Sequence, residues 1–446
     1  MKRFLKIAAV IIISLLIFFV GTFKYRQHKA NEVSIPKNTG SLMKISVDEI
    51  YKSIAANMIA NPGYYFKSNT NTGTKSNFDG FDHGLKIPAS IFFYTIDDKP
   101  KTAFFSRLAI SDFQKFSNFI KNTLKLNIIK ASGLNLAKNN LKNFTILFNE
   151  EYAAIALSTQ VGEFESILKD ILNEKNFVKL GDSKFSDLKK STDHLAYVDK
   201  DNDAAINFEN GEISFTNGFL SKEIMPATKA AHRQLNTTSA IGFWLNADFK
   251  TNAKQTLKLR DTSLEQDSLV KYYKGYLDFE WLNTTQQIDS VITYDYNDDF
   301  EKVEKVTLKK RDIPNFVVNI SSDAIGLKNY LSRQSIINRD SGIIDKSVFP
   351  LYKIFVGGDN KQLVFSTRKG NKVAETTELS NDFFALNVNF PKLNKEINIP
   401  VLSKYLEMLK QLNLSGKVVS GTVKINGKLD FANDDINSLY QLLKSM

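Results

Sequence analysis

The sequence predicts an α+β protein: an N-terminal transmembrane helix followed by antiparallel β-sheets with amphipathic helices packed on one face, arranged as two related lobes. Three observations predict it. Residues 4–23 form an apolar run between two basic clusters. Short strands with alternating side chains recur between Gly, Asn and Asp turns, and four stretches place apolar residues at helical spacing.

The apolar run is free of charge from Ile7 to Phe23, with Ser14 and Thr22 its only polar residues, and is flanked by Lys2, Arg3 and Lys6 before and Lys24, Arg26 and Lys29 after. At helical rise it reaches about 25 Å, the lower limit for a bilayer span. A cleaved signal peptide has a shorter apolar region and a small-residue exit, whereas this run leaves through Phe19-Val20-Gly21-Thr22-Phe23. A lipoprotein signal needs a cysteine, and the chain has none. An uncleaved anchor is the favoured reading, and it implies a single-pass inner-membrane protein with its amino terminus in the cytoplasm and its bulk in the periplasm. The basic residues are three on each side, so the orientation rests on translocation of long domains regardless of such charges.

The expected organisation is a cytoplasmic amino terminus at 1–6, the anchor at 7–23, a linker at 24–45, a first lobe at 46–225 and a second at 226–446. Pro36 and Asn38-Thr39-Gly40 make the linker a polar stalk. Ser46 and Glu49 have the spacing of a capping box; Val47, Ile50, Tyr51, Ile54 and Met58 then follow at helical spacing, and Asn61-Pro62-Gly63 stops the helix. Residues 67–77 have loop composition.

Beyond them one unit recurs, a turn followed by a short apolar strand, at 87–98, 191–201, 237–249, 313–324 and 380–390. Helical faces are Phe113/Phe116/Ile120/Leu124, Phe164/Ile167/Leu168/Ile171/Leu172, Leu402/Tyr405/Leu406/Leu409/Leu412 and Ile436/Leu439/Tyr440/Leu443. Strands are expected within 144–158, 206–220, 288–300, 361–379 and 416–431, with hairpin turns at Asn210-Gly211, Gly370-Asn371 and Asn426-Gly427.

Charge narrows the function classes. Of the formal +11, six charges belong to residues 1–30, which leaves +5 dispersed over 416 residues. A nucleic-acid binder shows a basic stripe or a known module, and neither occurs, so no nucleic-acid partner is expected. There is no phosphate-binding loop, dinucleotide fingerprint, serine elbow or His-Glu-x-x-His, and catalytic cysteine chemistry is excluded.

Asp79, Asp82 and His83 are the candidate metal ligands or acid–base groups, in the run Asp79-Gly80-Phe81-Asp82-His83-Gly84. The same run reads equally as a turn, the favoured reading, because ligand sets draw on further partners elsewhere. Residues 294–299 offer oxygen ligands but lack the glycine and terminal glutamate of a calcium loop, and a hairpin turn suits them better. His28, His194 and His232 stand apart from any matching motif. The aromatic pairs Tyr64-Tyr65, Phe92-Phe93, Phe104-Phe105, Tyr272-Tyr273 and Phe383-Phe384 send rings to both sides of an element, either into packing or toward an apolar groove.

The order of segments 80–94, 111–124, 144–157, 163–172 and 435–444 resembles a family of uncharacterised envelope proteins of Gram-negative bacteria, lipoproteins or membrane-anchored. In that family a Gly-x-Asp turn precedes the strand and an Asn-Ser-Leu helix closes the chain. The resemblance implies a location and a fold but no reaction, and the missing lipid-bearing cysteine departs from it. The expectation is a non-enzymatic binding or scaffold protein. It has no catalytic residues, no cofactor and no metal, is attached to the membrane by its first helix, and has a protein or lipid partner in the envelope. Alternatives are an amphiphile-binding protein and a hydrolase whose site draws on dispersed residues.

Overall fold

In the computed structural model of the chain the described residues are 21–66, 83–131, 133–221, 223–227, 229–250, 255–296, 300–370, 377–397 and 400–445. They fall into two units, one made of the chain up to Asn210 together with Asp435–Lys444, the other of Gly211–Asp434. The division therefore comes at 210 and not near 225, and the closing helix belongs with the beginning of the chain.

Strand outweighs helix among the described residues, 46% against 24%, which corrects the expected α+β balance. The physical reason is that Val, Ile, Thr and aromatic residues recur at every second position over longer stretches than they recur at helical spacing. The third expected helical face shows the competition. Only Pro400–Leu406 is helical; Leu409 and Leu412 lie in the strand Leu409–Val419, where Leu412 stands opposite both Val388 and Leu429. A strand with a partner on each edge satisfies its whole backbone, and that outweighs the helical spacing of five leucine and tyrosine positions.

The first unit carries a nine-stranded antiparallel sheet. Its spatial order is Asn202–Glu209, Leu195–Val198, Thr39–Ile45, Ile91–Ile96, Ala103–Ala109, Tyr152–Ser158, Phe144–Phe148, Leu134–Lys138 and Ile128–Ala131. Helix Glu165–Leu172 lays Leu168, Ile171 and Leu172 on this sheet, and Phe164 meets Phe105 edge-on at 5.6 Å. Phe116 and Ile120, from the helix Phe113–Asn118 and the π-turn after it, close a second core over Phe148.

The expected linker at 24–45 is regular structure instead. A helix runs to residue 31, Ser34–Pro36 pairs with Phe177–Lys179, and Thr39–Ile45 is a central strand. The helix is held by a bidentate pair, Arg26 Nε and Nη2 donating to Asp48 at 2.9 and 2.8 Å, and by Gln27 Nε2 donating to Glu49 at 2.6 Å. These bonds also dissolve the expected capping box. Helix Val47–Ala60 begins where the sequence places it, but Glu49 faces Gln27 and Lys52, and the Ser46 hydroxyl caps nothing.

The expected span at 7–23 lies outside the described residues except for its last three. Among the described residues no helix is long and apolar enough to cross a membrane, and the described part of the first helix is tied to the folded unit through Arg26 and Gln27. The single-pass inner-membrane and periplasmic placement is corrected on that ground.

In the second unit the sheet order is Glu212–Phe219, Thr422–Phe431, Leu409–Val419, Phe384–Asn389, Ile241–Phe249, Tyr273–Tyr296, Lys302–Ser322, Gln362–Ser366 and Phe355–Gly358, all antiparallel. The hairpin turn expected at Asn426-Gly427 falls at Ser420-Gly421, whose φ values of 51° and 81° suit a mirror-image two-residue turn. Gly427 lies inside its strand, where a Cβ would stand 2.5 Å from the Leu414 side chain. Close side-chain passage, not turning, explains that glycine.

Burial holds the His194 imidazole below the usual histidine range, against the opposite pull of Glu49, Glu209 and Asp193. Its Nδ1 accepts from the Phe208 N–H at 2.8 Å, which the neutral ring alone can do. The unfolded chain takes up this proton near pH 6.5 while the folded one resists, so stability falls as pH drops below that value. Urea midpoints measured from pH 7.5 to 5 should decline for the native chain, and His194→Gln should flatten part of that decline.

Candidate interaction surface

Strands Tyr273–Tyr296 and Lys302–Ser322 are paired along almost their whole length. Their neighbours are shorter. Ile241–Phe249 pairs only with the stretch up to Trp281, and Gln362–Ser366 only with Val317–Ser321. Beyond these points no other strand among the described residues pairs with either of them, and they continue as a two-stranded ribbon.

Burial changes character at the same place. From Ile313 onward alternate residues are buried, whereas Lys302–Asp312 are exposed on both faces apart from the half-buried Thr307. The register sets Ile292 opposite Val306, Ser290 opposite Leu308, Ile288 opposite Lys310 and Tyr294 opposite Glu304. Side chains directly opposite share a face and successive ones alternate, so Ile288, Ile292, Tyr294, Val306 and Leu308 form one apolar stripe. Each of the five is between 52 and 69% exposed. The reverse face presents Thr293, Val303, Lys305, Thr307 and Lys309.

The base of the ribbon is rigidly seated. Gln287 is buried, donates to the carbonyls of Lys353 and Thr367 at 2.7 and 2.8 Å, and accepts from the Lys353 N–H at 2.9 Å. Arg311 donates to the Leu351 carbonyl at 2.7 Å, and Lys353 Nζ to the Ile288 carbonyl at 3.1 Å. A polar cleft of about 240 Å³ lies here, lined by Asp289, Arg311, Tyr352 and Lys353 among others. Two of its cations, Arg311 and Lys353, are already engaged with backbone carbonyls or with Asp289.

The densest polar cluster lies nearer the core of the same strands. Arg233 donates through Nη2 and Nε to Asp278 at 2.9 and 3.3 Å and through Nη1 to Glu280 at 2.7 Å. Tyr276 and Asn319 also donate to Asp278, while the Asn236 N–H and the Ser239 hydroxyl donate to Glu280. Burial, and then the Asp278 charge, pushes the Tyr276 phenol up, which keeps it a donor. Every carboxylate oxygen has a partner within the protein, so the cluster is a clamp and has no lone pair turned toward a substrate. It fastens the segment around Arg233 over the sheet, next to His232, which stacks on Trp244 at 4.2 Å.

Of the three candidate metal ligands only His83 lies within the described residues; Asp79 and Asp82 lie outside them. His83 accepts the Leu85 N–H on Nδ1 at 2.9 Å and meets Phe119 edge-on. The adjacent Gly84 has φ +67°, and a Cβ there would lie 2.4 Å from the Asp112 carbonyl oxygen and the Phe116 nitrogen, so this turn receives the start of a helix. Among the described residues no group of three metal-ligating side chains occurs. In the run 294–299, residues 294–296 finish a strand and 297–299 lie outside the described residues.

Three of the five aromatic pairs divide into a buried and a half-buried ring, whereas both rings of Tyr64-Tyr65 and of Tyr272-Tyr273 are half-buried. Phe92, Phe105 and Phe383 are buried and their neighbours half-exposed. A cleft of about 280 Å³ in the first unit is lined partly by Lys37, Asp170 and Lys175, a mixed rather than apolar wall.

No protein-family profile and no curated protein matches the sequence. The resemblance to the envelope-protein family thus receives no sequence support. Crystal form I of TP0453 is similar at 10% identity over 42% of this chain and 77% of that one, with a TM-score of 0.28. Crystal form IV is similar at 8% identity over 75% of this chain and 92% of that one, with a TM-score of 0.22. Scores of this size establish no common fold.

Breaking a buried ion pair from one side strands the remaining charges and costs about 3–5 kcal/mol. Arg233→Ala should lower the stability of the second unit by that amount. Lysine offers no fork to span both carboxylates, so Arg233→Lys should recover only part of it. Both tryptophans, Trp244 and Trp281, lie in this unit, so their fluorescence during urea unfolding measures the loss.

Proposed function

We propose that the protein is a non-enzymatic binding or scaffold protein and that the ribbon of its second unit is the binding element. The observation that supports this is the apolar stripe Ile288/Ile292/Tyr294/Val306/Leu308, exposed on strands that leave their sheet. A two-stranded ribbon is marginal by itself in water, and half-exposed aliphatic side chains add little to its stability. A stripe of this kind on a firmly seated base is accounted for by a partner that covers it. The reading does not call on the clamp around Arg233, whose charged groups are paired with one another, nor on His83.

A photo-reactive amino acid at position 292 tests the proposal. Irradiation of growing cells should give discrete adducts of higher mass, while the same residue at Thr307, on the opposite face, should give far fewer. Absence of adducts at 292, 306 and 308 alike would remove the reading.

A further inference from the structure

The stripe has an internal symmetry that identifies its occupant. On the strand Lys302–Ser322, Val306 and Leu308 lie one position to either side of Thr307, and Glu304 and Lys310 three positions to either side. On the facing strand the residue paired with Thr307 is Val291; Ser290 and Ile292 flank it by one position, Ile288 and Tyr294 by three. All eight flanking residues share the stripe face, and its centre is apolar. Its two ends on one strand carry opposite charges about 20 Å apart at the rise of an extended strand. Among the described residues neither Glu304 nor Lys310 has an ion-pair partner, although Glu304 accepts weakly from the Tyr294 hydroxyl at 3.4 Å.

We propose that the ribbon face is a self-association surface on which a second copy of this chain packs with its ribbon antiparallel, about a two-fold axis through the Val291–Thr307 pair. Such an axis, lying in the interface along the hydrogen-bond direction, sets like strands over each other in opposite sense. Lys310 of one copy then meets Glu304 of the other, Leu308 meets Val306, and Ile288 meets Tyr294. Two-fold symmetry repeats every contact, so a single patch supplies both halves of an isologous interface. The proposal rests on the reading of the ribbon as the binding element and adds its occupant.

Charge argues against the other surfaces an amphipathic ribbon could meet. Residues 286–312 hold seven carboxylates against five cations. An anionic bilayer or a nucleic acid would be repelled by this excess. A second copy offers complementary charge: on the stripe face Lys302 and Glu304 lie toward one end of the strand and Lys310 and Asp312 toward the other, so antiparallel packing sets Lys302 against Asp312 and Glu304 against Lys310.

The test is a charge exchange in the full chain, purified in mild detergent and measured by sedimentation equilibrium, with circular dichroism confirming the fold of each variant. The native chain should dimerise reversibly. Lys310→Glu and Glu304→Lys each place two like-charged pairs at the interface and should each raise the dissociation constant about tenfold. The double exchange, K310E with E304K, restores two opposite pairs and should return the constant to near the native value. A native chain that stays monomeric over the whole concentration range, single exchanges without effect, or a double exchange no better than the singles would each overturn the proposal. The last two results would point to edge-to-edge pairing of the open strands instead. If the chain is monomeric yet position 292 still cross-links to a different protein in cells, the ribbon remains a binding element and only the choice of occupant fails.

Discussion

The guanidinium of Arg233, shared between Asp278 and Glu280, is the contact on which the second unit depends. Two carboxylates on one strand face, two positions apart, could not be buried there without it. With Arg233 and the donors from Tyr276, Ser239, Asn236 and Asn319, each oxygen recovers the hydrogen bonds it loses with water. The clamp also closes the strand Tyr273–Tyr296 between its neighbours a few residues before that strand leaves the sheet. Gln287, bonded on both sides of its amide, performs the same task at the point of departure. A ribbon with open edges is a hazard unless its direction is controlled, and these two polar anchors control it.

The first unit uses a comparable device at the opposite end of the chain. Asn437 is fully buried and accepts from the Leu439 and Tyr440 N–H groups, so it caps the closing helix Ser438–Ser445. Its amide donates to the Ser53 hydroxyl and the Phe208 carbonyl, and its own N–H reaches Asn57 Oδ1 at 2.9 Å. One side chain thereby joins the final helix, the helix Val47–Ala60 and the strand Asn202–Glu209. The Asn-Ser-Leu segment that stands out in the sequence is a cap and a tie, which gives a structural reason for its composition without a chemical one.

What was legible in the sequence was local. The helix Val47–Ala60 and its stop at Asn61-Pro62-Gly63, the buried face of Glu165–Leu172, and the strands near 91, 144 and 241 all follow from spacing and turn residues. The failures share a cause. The spacing of Leu402–Leu412 is helical, yet a strand with two waiting partners took its second half. Asn426-Gly427 is the usual hairpin dipeptide, yet a nearby Ser-Gly turn set the register and left the glycine where two side chains cross. Of the candidate ligands, His83 stands next to Gly84 in a turn that receives a helix, and for the ribbon the sequence suggests only strand and polar turn. A signal for it was available: Ile288, Ile292, Val306 and Leu308 stand at even spacings among charged and hydroxyl residues on either side of an acidic stretch.

The sequence by itself determined where the apolar run and its basic flanks lie, the absence of cysteine chemistry, and most short elements, because these depend on neighbours within a few positions. Tertiary structure alone decided the balance of strand over helix, the fate of the expected linker and the return of Asp435–Lys444 to the first unit. It alone also brought Arg233 to Asp278 and Glu280 from 45 and 47 positions away. The reason is that a backbone hydrogen bond or a buried charge must find its partner wherever the chain provides one, and that choice is made by the whole fold.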